Sequence, residues 1–272
     1  MKYALVNGES QEAQPGLKGV CSGCESVVIA KCGPQKINHW SHHKLRDCDT
    51  WWENETQWHR DWKSQFPKEH QEVVHRSSIG EIHRADVKTD KGWVLEFQYS
   101  AINSSERKIR SEFYGKIVWI VNGVRRKRDL EQFFKSLKVV KKLEDKFISR
   151  VCDVVSDKSA LIRDWVNDSV PVIFDFPEIP SIWCLLPRKG EGQGVVLELS
   201  RHEFVRMHQN MNNSSSDEFT DFIQFYSTAL SATDLINKVH QRDCELSRIK
   251  QLQADEARRR NPYINRRALF RF

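Results

Sequence analysis

The apolar residues of this chain fall into short runs with two different periods. Over residues 1–48 they alternate with polar residues in Lys2 to Val6, Gly16 to Val20, Ser26 to Lys31 and Lys36 to Trp40, with turn formers between, which predicts a small β subdomain. From Thr50 to Phe66 the period becomes helical. Trp51, Trp58, Trp62 and Phe66 share one face, Thr50 and Glu53 fit a capping box, and Pro67 marks the stop. Three β-runs follow, His70 to Arg76, Ile82 to Lys88 and Trp93 to Tyr99, separated by Ser77-Ser78-Ile79-Gly80 and Asp90-Lys91-Gly92. A helix is expected from Ser104 to Tyr114, a strand from Lys116 to Val121 closed by Asn122-Gly123, and a charged helix from Arg128 to Lys146.

Farther on, the pattern predicts a helix from Lys158 to Asn167 and strands over Pro171 to Asp175, Ser181 to Leu186 and Gly194 to Leu199. From Asp217 it is helical up to Arg258-Arg259-Arg260. The expected class is α/β (α+β), in three parts: a β subdomain over 1–49, a central domain over 50–150 and an α/β region over 151–272. The longest purely apolar stretches are five or six residues, such as Ile117 to Val121, whereas a membrane-spanning helix needs about 20. Met1 to Val6 is too short for a secretory signal. The expectation is a cytoplasmic protein with no membrane partner.

Charge sharpens this picture locally. The chain carries a formal +6, but residues 107–150 hold 14 Lys/Arg against 5 Asp/Glu, so the rest is slightly acidic. Such a block suggests a surface that faces a polyanion. Arg107, Lys108 and Arg110 on one helix, and Arg125, Arg126, Lys127 and Arg128 after the next strand, are the candidate phosphate contacts. Arg258 to Arg260 with Arg266, Arg267 and Arg271 form a second basic patch.

Seven cysteines without a secretory context argue against a disulfide framework. Four of them lie in the first 48 residues beside histidines. Cys21 and Cys24 form a Cys-x2-Cys turn, His39 and His42 follow, and Cys48 comes last. A tetrahedral zinc site takes four such ligands. Five candidates compete for four places, so either His39 or Cys48 is a neighbour. Cys32 is poorly spaced. The ion would be structural, a staple for a segment with little core.

The remaining chemistry is carried by acids. Glu55 falls within the aromatic stripe of the predicted Thr50 helix, where a carboxylate is costly without a partner, while Glu53 falls on the opposite face. A short turn makes the second and third β-runs a hairpin, which can set Asp86 beside Glu96, with Gln98 on the same face as Glu96. Converging carboxylates suit hard divalent ions such as Mg²⁺ or Mn²⁺.

Asp86-x9-Glu96-x-Gln98 preceded by a helical Glu resembles the PD-(D/E)xK nuclease superfamily. Residues from about 20 to 122, somewhat over a third of the chain, resemble the competence protein CoiA-like nuclease family. The matching pieces are Cys21-x2-Cys24, His39-Trp40-Ser41-His42, Cys48, Glu55-x3-His59-x3-Lys63 and Arg84-Ala85-Asp86-Val87. Glu96-Phe97-Gln98-Tyr99-Ser100, Arg110-x3-Tyr114 and Val118-Trp119-Ile120-Val121 complete them. The resemblance implies a restriction-endonuclease-like core (helix, three strands, helix, strand) behind a zinc-binding N-terminus. It also implies a divalent-metal-dependent deoxyribonuclease, with Asp86, Glu96 and Glu55 at Mg²⁺ or Mn²⁺. The expected partners are DNA, single-stranded or branched rather than plain duplex, and recombination proteins. The usual catalytic Lys is here Gln98, which can orient a water but carries no charge. Lys63 is the candidate for the missing cation, and His59 for ordering Glu55 or a metal-bound water. The alternatives are a DNA-binding recombination accessory without catalysis and a zinc-stabilised interaction module in phage defence or a mobile element, with the C-terminal half as effector.

Overall fold

The computed structural model describes residues 1–43, 48–77, 80–142, 146–187, 192–209, 216–228 and 231–260. The N-terminal part is an antiparallel sheet of β1 (Tyr3–Val6), β2 (Glu9–Glu12), β3 (Lys18–Val20), β4 (Val27–Gly33) and β5 (Lys36–His42), in the order β2-β1-β3-β4-β5. β2 is all polar and carries no apolar alternation; it exists because Asn7 and Gly8, at φ 52° and 85°, fold it back on β1. The core here is small, built on Ala4, Ala13, Val28 and Trp40 beside Cys21.

Farther along, the chain forms α1 (Gln57–Lys63), β6 (Gln71–Arg76), β7 (Ile82–Lys88), β8 (Val94–Gln98), α2 (Ser104–Tyr114) and β9 (Ile117–Asn122), the element order expected from the sequence. Next come α3 (Asp129–Ser136), β10 (Leu137–Lys142), β11 (Ile148–Val155), α4 (Ala160–Trp165), β12 (Val172–Asp175), β13 (Ser181–Leu185) and β14 (Gln193–Ser200). Three helices follow, α5 (Arg201–His208), α6 (Glu218–Ser227) and α7 (Ala232–Arg260). The nine described strands from β6 to β14 make one mixed sheet, ordered β10-β11-β14-β13-β12-β9-β8-β7-β6. β8, β9 and β12 run parallel, and the other pairs are antiparallel. The expected boundary at residue 150 lies inside β11, so residues on both sides of it share this sheet.

Alternation along β8 builds both faces. Leu95 and Phe97 join the layer that includes Trp62 of α1 and Phe204 of α5, whereas Val94 joins Trp119, Phe133 and Trp165 under α3 and α4. Burying Leu, Phe or Val side chains of this kind stabilises by about 1.5–3 kcal/mol each. Among the described residues, no helix is long and apolar enough to cross a membrane.

Three expected elements differ. α1 begins at Gln57, not Thr50, because Thr56 is the N-cap: its hydroxyl and N–H lie 2.8 and 3.1 Å from His59 Nδ1. Trp51 therefore lies off the helix, stacked on His83 with ring centroids 3.2 Å apart. The charged helix expected over Arg128 to Lys146 ends at Ser136; from Leu137 the chain is a strand paired with β11. The segment from Asp217 forms two helices, with Asp217 capping the first through a 3.0 Å bond from Thr220 N–H.

Candidate active site and metal centre

The N-terminal cluster forms where β3 ends, β4 begins and β5 ends. Cys21 and Cys24 sit on the turn between β3 and β4, and His42 is the last residue of β5. Cys24 Sγ is 3.3 Å from His42 Nε2, and Cys21 Sγ is 3.7 Å from Cys48 Sγ. All four ligand atoms lie within 4.8 Å of one another. Zinc–sulfur bonds of ~2.3 Å arranged tetrahedrally put sulfurs about 3.8 Å apart, so the donor set fits zinc in both chemistry and size.

His39 is the odd candidate out. Trp40 and His42 are buried while His39 points to the other side of β5, and its Nδ1 lies 2.9 Å from Ile37 O. Cys32 also lies outside the cluster. Burial raises the Cys21 thiol, but N–H groups of Cys24 and Gly23 and the Arg84 guanidinium outweigh it and hold the group at about 6. Cys48 is pushed up to about 12 by burial and by its charged neighbour Cys21. This Cys3His cluster can bind a structural zinc ion.

The acids meet where β7 and β8 part. The ladder pairs Val87 with Leu95, and one step farther out carboxylates take over the pairing. Asp86 Oδ2 accepts the Phe97 N–H at 3.0 Å, while Glu96 Oε1 accepts the Asp86 N–H at 3.3 Å. Asp86 and Glu96 are thus adjacent, as alternation on a hairpin requires. Burial and the charge of Asp86 push the Glu96 carboxyl well above its ordinary range; Arg110, 3.8 Å away, offsets only part of this.

Glu55 is held differently from the expectation. It precedes α1, and its oxygens bind Arg60 at 3.1 Å and Lys63 at 3.2 Å. The Lys63 ammonium also lies 2.8 Å from Asp86 and 3.3 Å from Glu72. Burial disfavours its charge, yet Asp86, Glu72 and Glu55 together raise its pKa well above the ordinary lysine value. The cation between Glu55 and Asp86 is therefore Lys63. Among the described residues, the only group of three or more His, Cys, Asp or Glu with ligand atoms within 4.8 Å is the Cys3His cluster.

Glu72 and Glu53 are site residues that the sequence did not reveal. Glu72 sits at φ 54° and accepts the N–H groups of Lys2 and Tyr3 at 2.7 and 3.0 Å, which joins the N-terminal sheet to Lys63. Glu53 accepts from Gln98 Nε2 and Tyr99 N–H at 3.2 Å each and from Ser100 N–H. His59 Nε2 lies 3.1 Å from Phe97 O and 3.5 Å from Glu53. Because Nδ1 faces the Thr56 N–H, Nε2 carries the proton and donates to Phe97 O. A cavity of about 610 Å³ connects the two clusters, with His42 and Cys48 at one part of its wall and Asp86, Glu96, Gln98 and Arg110 at another.

The basic residues divide by burial. Arg107 is buried against Asp168 at 3.1 Å and packs over the Trp165 ring, so it is a packing residue and not a surface contact. Arg110 is buried too, donating to Trp51 O at 2.9 Å and to Glu106. Arg125 is half-buried on Ser100 O and Asp164. Lys108, Arg126, Lys127 and Arg128 are exposed. Arg258 is exposed on α7, and Arg266, Arg267 and Arg271 lie outside the described residues.

Fold and site together define a mixed α/β protein whose N-terminal antiparallel sheet carries a Cys3His cluster beside a buried acidic site. Residues 12–50 match the family model described as competence protein CoiA, N-terminal domain. That match contains all four cluster residues and ends before Glu53. No curated protein and no solved structure matches the chain.

Proposed function

We propose that this chain is a divalent-metal-dependent deoxyribonuclease of the PD-(D/E)xK type that hydrolyses phosphodiester bonds in DNA recombination or processing. The observation that carries this reading is the junction of Asp86 and Glu96 at the parting of β7 and β8, with the Lys63 ammonium 2.8 Å from Asp86. The element order from α1 to β9 supports it, and so does a cavity wide enough to admit a nucleotide. The N-terminal family match supports a competence-related setting, in which the partner is DNA in the cytoplasm, single-stranded or branched.

Asp86 and Glu96 supply the hard oxygen donors that would hold Mg²⁺ or Mn²⁺. An ion there would lower the pKa of a bound water and neutralise charge on the phosphate. Lys63 is the resident cation beside that pair, and Glu55, tied to Lys63 and Arg60, fixes its position. Arg126, Lys127 and Arg128 give the strand a basic surface to lie on.

One observation favours a second reading, a catalytically silent DNA-binding accessory. Lys63 and Arg110 already neutralise the acids internally. Incubation with circular single-stranded and duplex DNA plus Mg²⁺ or Mn²⁺ separates the two. Cleavage that needs the metal and vanishes in Asp86→Ala supports the nuclease. Retained DNA binding without cleavage by the wild type supports the accessory.

A further inference from the structure

We infer that Gln98 serves the cavity as an oxygen donor, its amide carbonyl turned toward a hydrated divalent cation beside Asp86 and Glu96, and that Glu53 is the residue that fixes this orientation. The inference rests on the reading of Asp86 and Glu96 as a cation-binding pair, and it deepens that reading by giving the Gln98 position a definite chemistry.

Gln98 is buried at 5% exposure, and its side chain makes bonds at one end only. That end meets a Glu53 carboxylate oxygen at 3.2 Å, the Ser100 carbonyl oxygen at 3.2 Å and the Ser100 hydroxyl at 3.5 Å. A carboxylate and a carbonyl only accept, so the end that faces them must be the NH2 group. The flip is decided by its partners. No described residue donates to the Gln98 carbonyl oxygen, and that atom is not among the buried polar atoms left without a partner, so it opens onto the cavity that Gln98 lines.

Glu53 is itself fixed. The N–H groups of Tyr99 and Ser100 and the imidazole of His59 all face its carboxylate. These donors hold the carboxylate in place, and its oxygens, which only accept, turn away the carbonyl end of Gln98. Both donors of the amide are consumed on the Glu53 side. What the position can offer the cavity is a lone pair, the same commodity that Asp86 and Glu96 offer, and a hard divalent ion or its bound water is the ligand that uses three oxygens. A lysine here would be drawn into an ion pair with Glu53 and would bring positive charge where an oxygen is needed.

The test titrates Mn²⁺ into the full chain, following the free-ion electron paramagnetic resonance signal, alongside ¹⁵N-glutamine labelling. Gln98→Met should bind Mn²⁺ more weakly than the wild type, since it removes the oxygen while keeping the length of the side chain. Gln98→Lys should weaken binding by at least about tenfold. In Glu53→Ala the Gln98 side-chain amide, identified by its absence from Gln98→Met, should move to the shifts of a solvated glutamine. Circular dichroism keeps misfolded variants out of the comparison. Wild-type affinity in Gln98→Lys or in Gln98→Met, or an amide unmoved by Glu53→Ala, overturns the inference. A wild type that binds Mn²⁺ with this pattern yet cuts no DNA overturns the nuclease reading alone. Binding that Asp86→Ala leaves unchanged overturns both.

Discussion

Lys63 and Asp86 lie 2.8 Å apart, joining α1 to the point where β7 leaves β8. The same ammonium holds Glu55 and Glu72 within 3.3 Å, and Glu72 in turn accepts the N–H groups of Lys2 and Tyr3 at the entry to the N-terminal sheet. One buried cation thus ties together three parts of the chain. Its place explains how so many acids tolerate burial.

Removing that cation should be expensive. Lys63→Met leaves Glu55, Glu72 and Asp86 without their common counter-ion, and breaking a buried pair from one side costs about 3–5 kcal/mol. Glu55→Gln should cost much less, because Lys63 keeps two partners and Arg60 loses only one contact. Urea unfolding of the two variants checks the order; equal midpoints would refute it.

The zinc assignment has a sharp discriminator. Cys24→Ser and Cys48→Ser should lose bound zinc, measured by atomic absorption, and His39→Ala should keep one ion per chain. If His39→Ala releases the metal, the ligand set drawn from the geometry is wrong.

The hairpin and its acids were legible because alternation is a local rule: with Val87 opposite Leu95, Asp86 must face Glu96. The same rule decides His42 over His39 once the strand is seen to reach residue 42 and not stop at Trp40. The start of α1 was obscured by accident. Trp51 fits the helical stripe by number, yet it stacks on His83 across the fold, and only the Thr56–His59 cap reveals the true beginning. Glu53 consequently fell on the wrong side of an imagined helix. Arg107 looked like a phosphate contact because its partner Asp168 is 61 residues away, a relationship that charge counting along the chain does not contain.

Asp217 should make the fold acid-sensitive over a defined window. Burial raises its pKa, but bonds from Lys116, Thr220 and Trp93 outweigh this and hold it at about 2, against an ordinary value of 3.8. A depressed folded-state value means the unfolded chain takes up the proton first, so the stabilisation is complete above about 4 and fades as pH falls through 2. Asp217→Asn should therefore lower the melting temperature at pH 5 and converge on the wild type near pH 2. A difference that persists unchanged at pH 2 would contradict it.

The proposed binding to nucleic acid should register in salt dependence. Each phosphate neutralised on a single strand contributes about 0.7 to the slope of log K against log salt concentration. Arg126, Lys127 and Arg128 are exposed together at the N-terminal end of α3, but Arg126 is shared with Asp129 and Asp164, so replacing all three with Ala should reduce the slope for a single-stranded oligonucleotide by about 1.4, the part of Lys127 and Arg128. Arg107→Ala should leave the slope alone and lower thermal stability, because it removes the partner of buried Asp168 and the group packed on Trp165. Fluorescence anisotropy at several salt concentrations reads the first effect and a melting curve the second. A slope that falls in Arg107→Ala but not in the triple variant would reverse the assignment of these residues to packing and to contact.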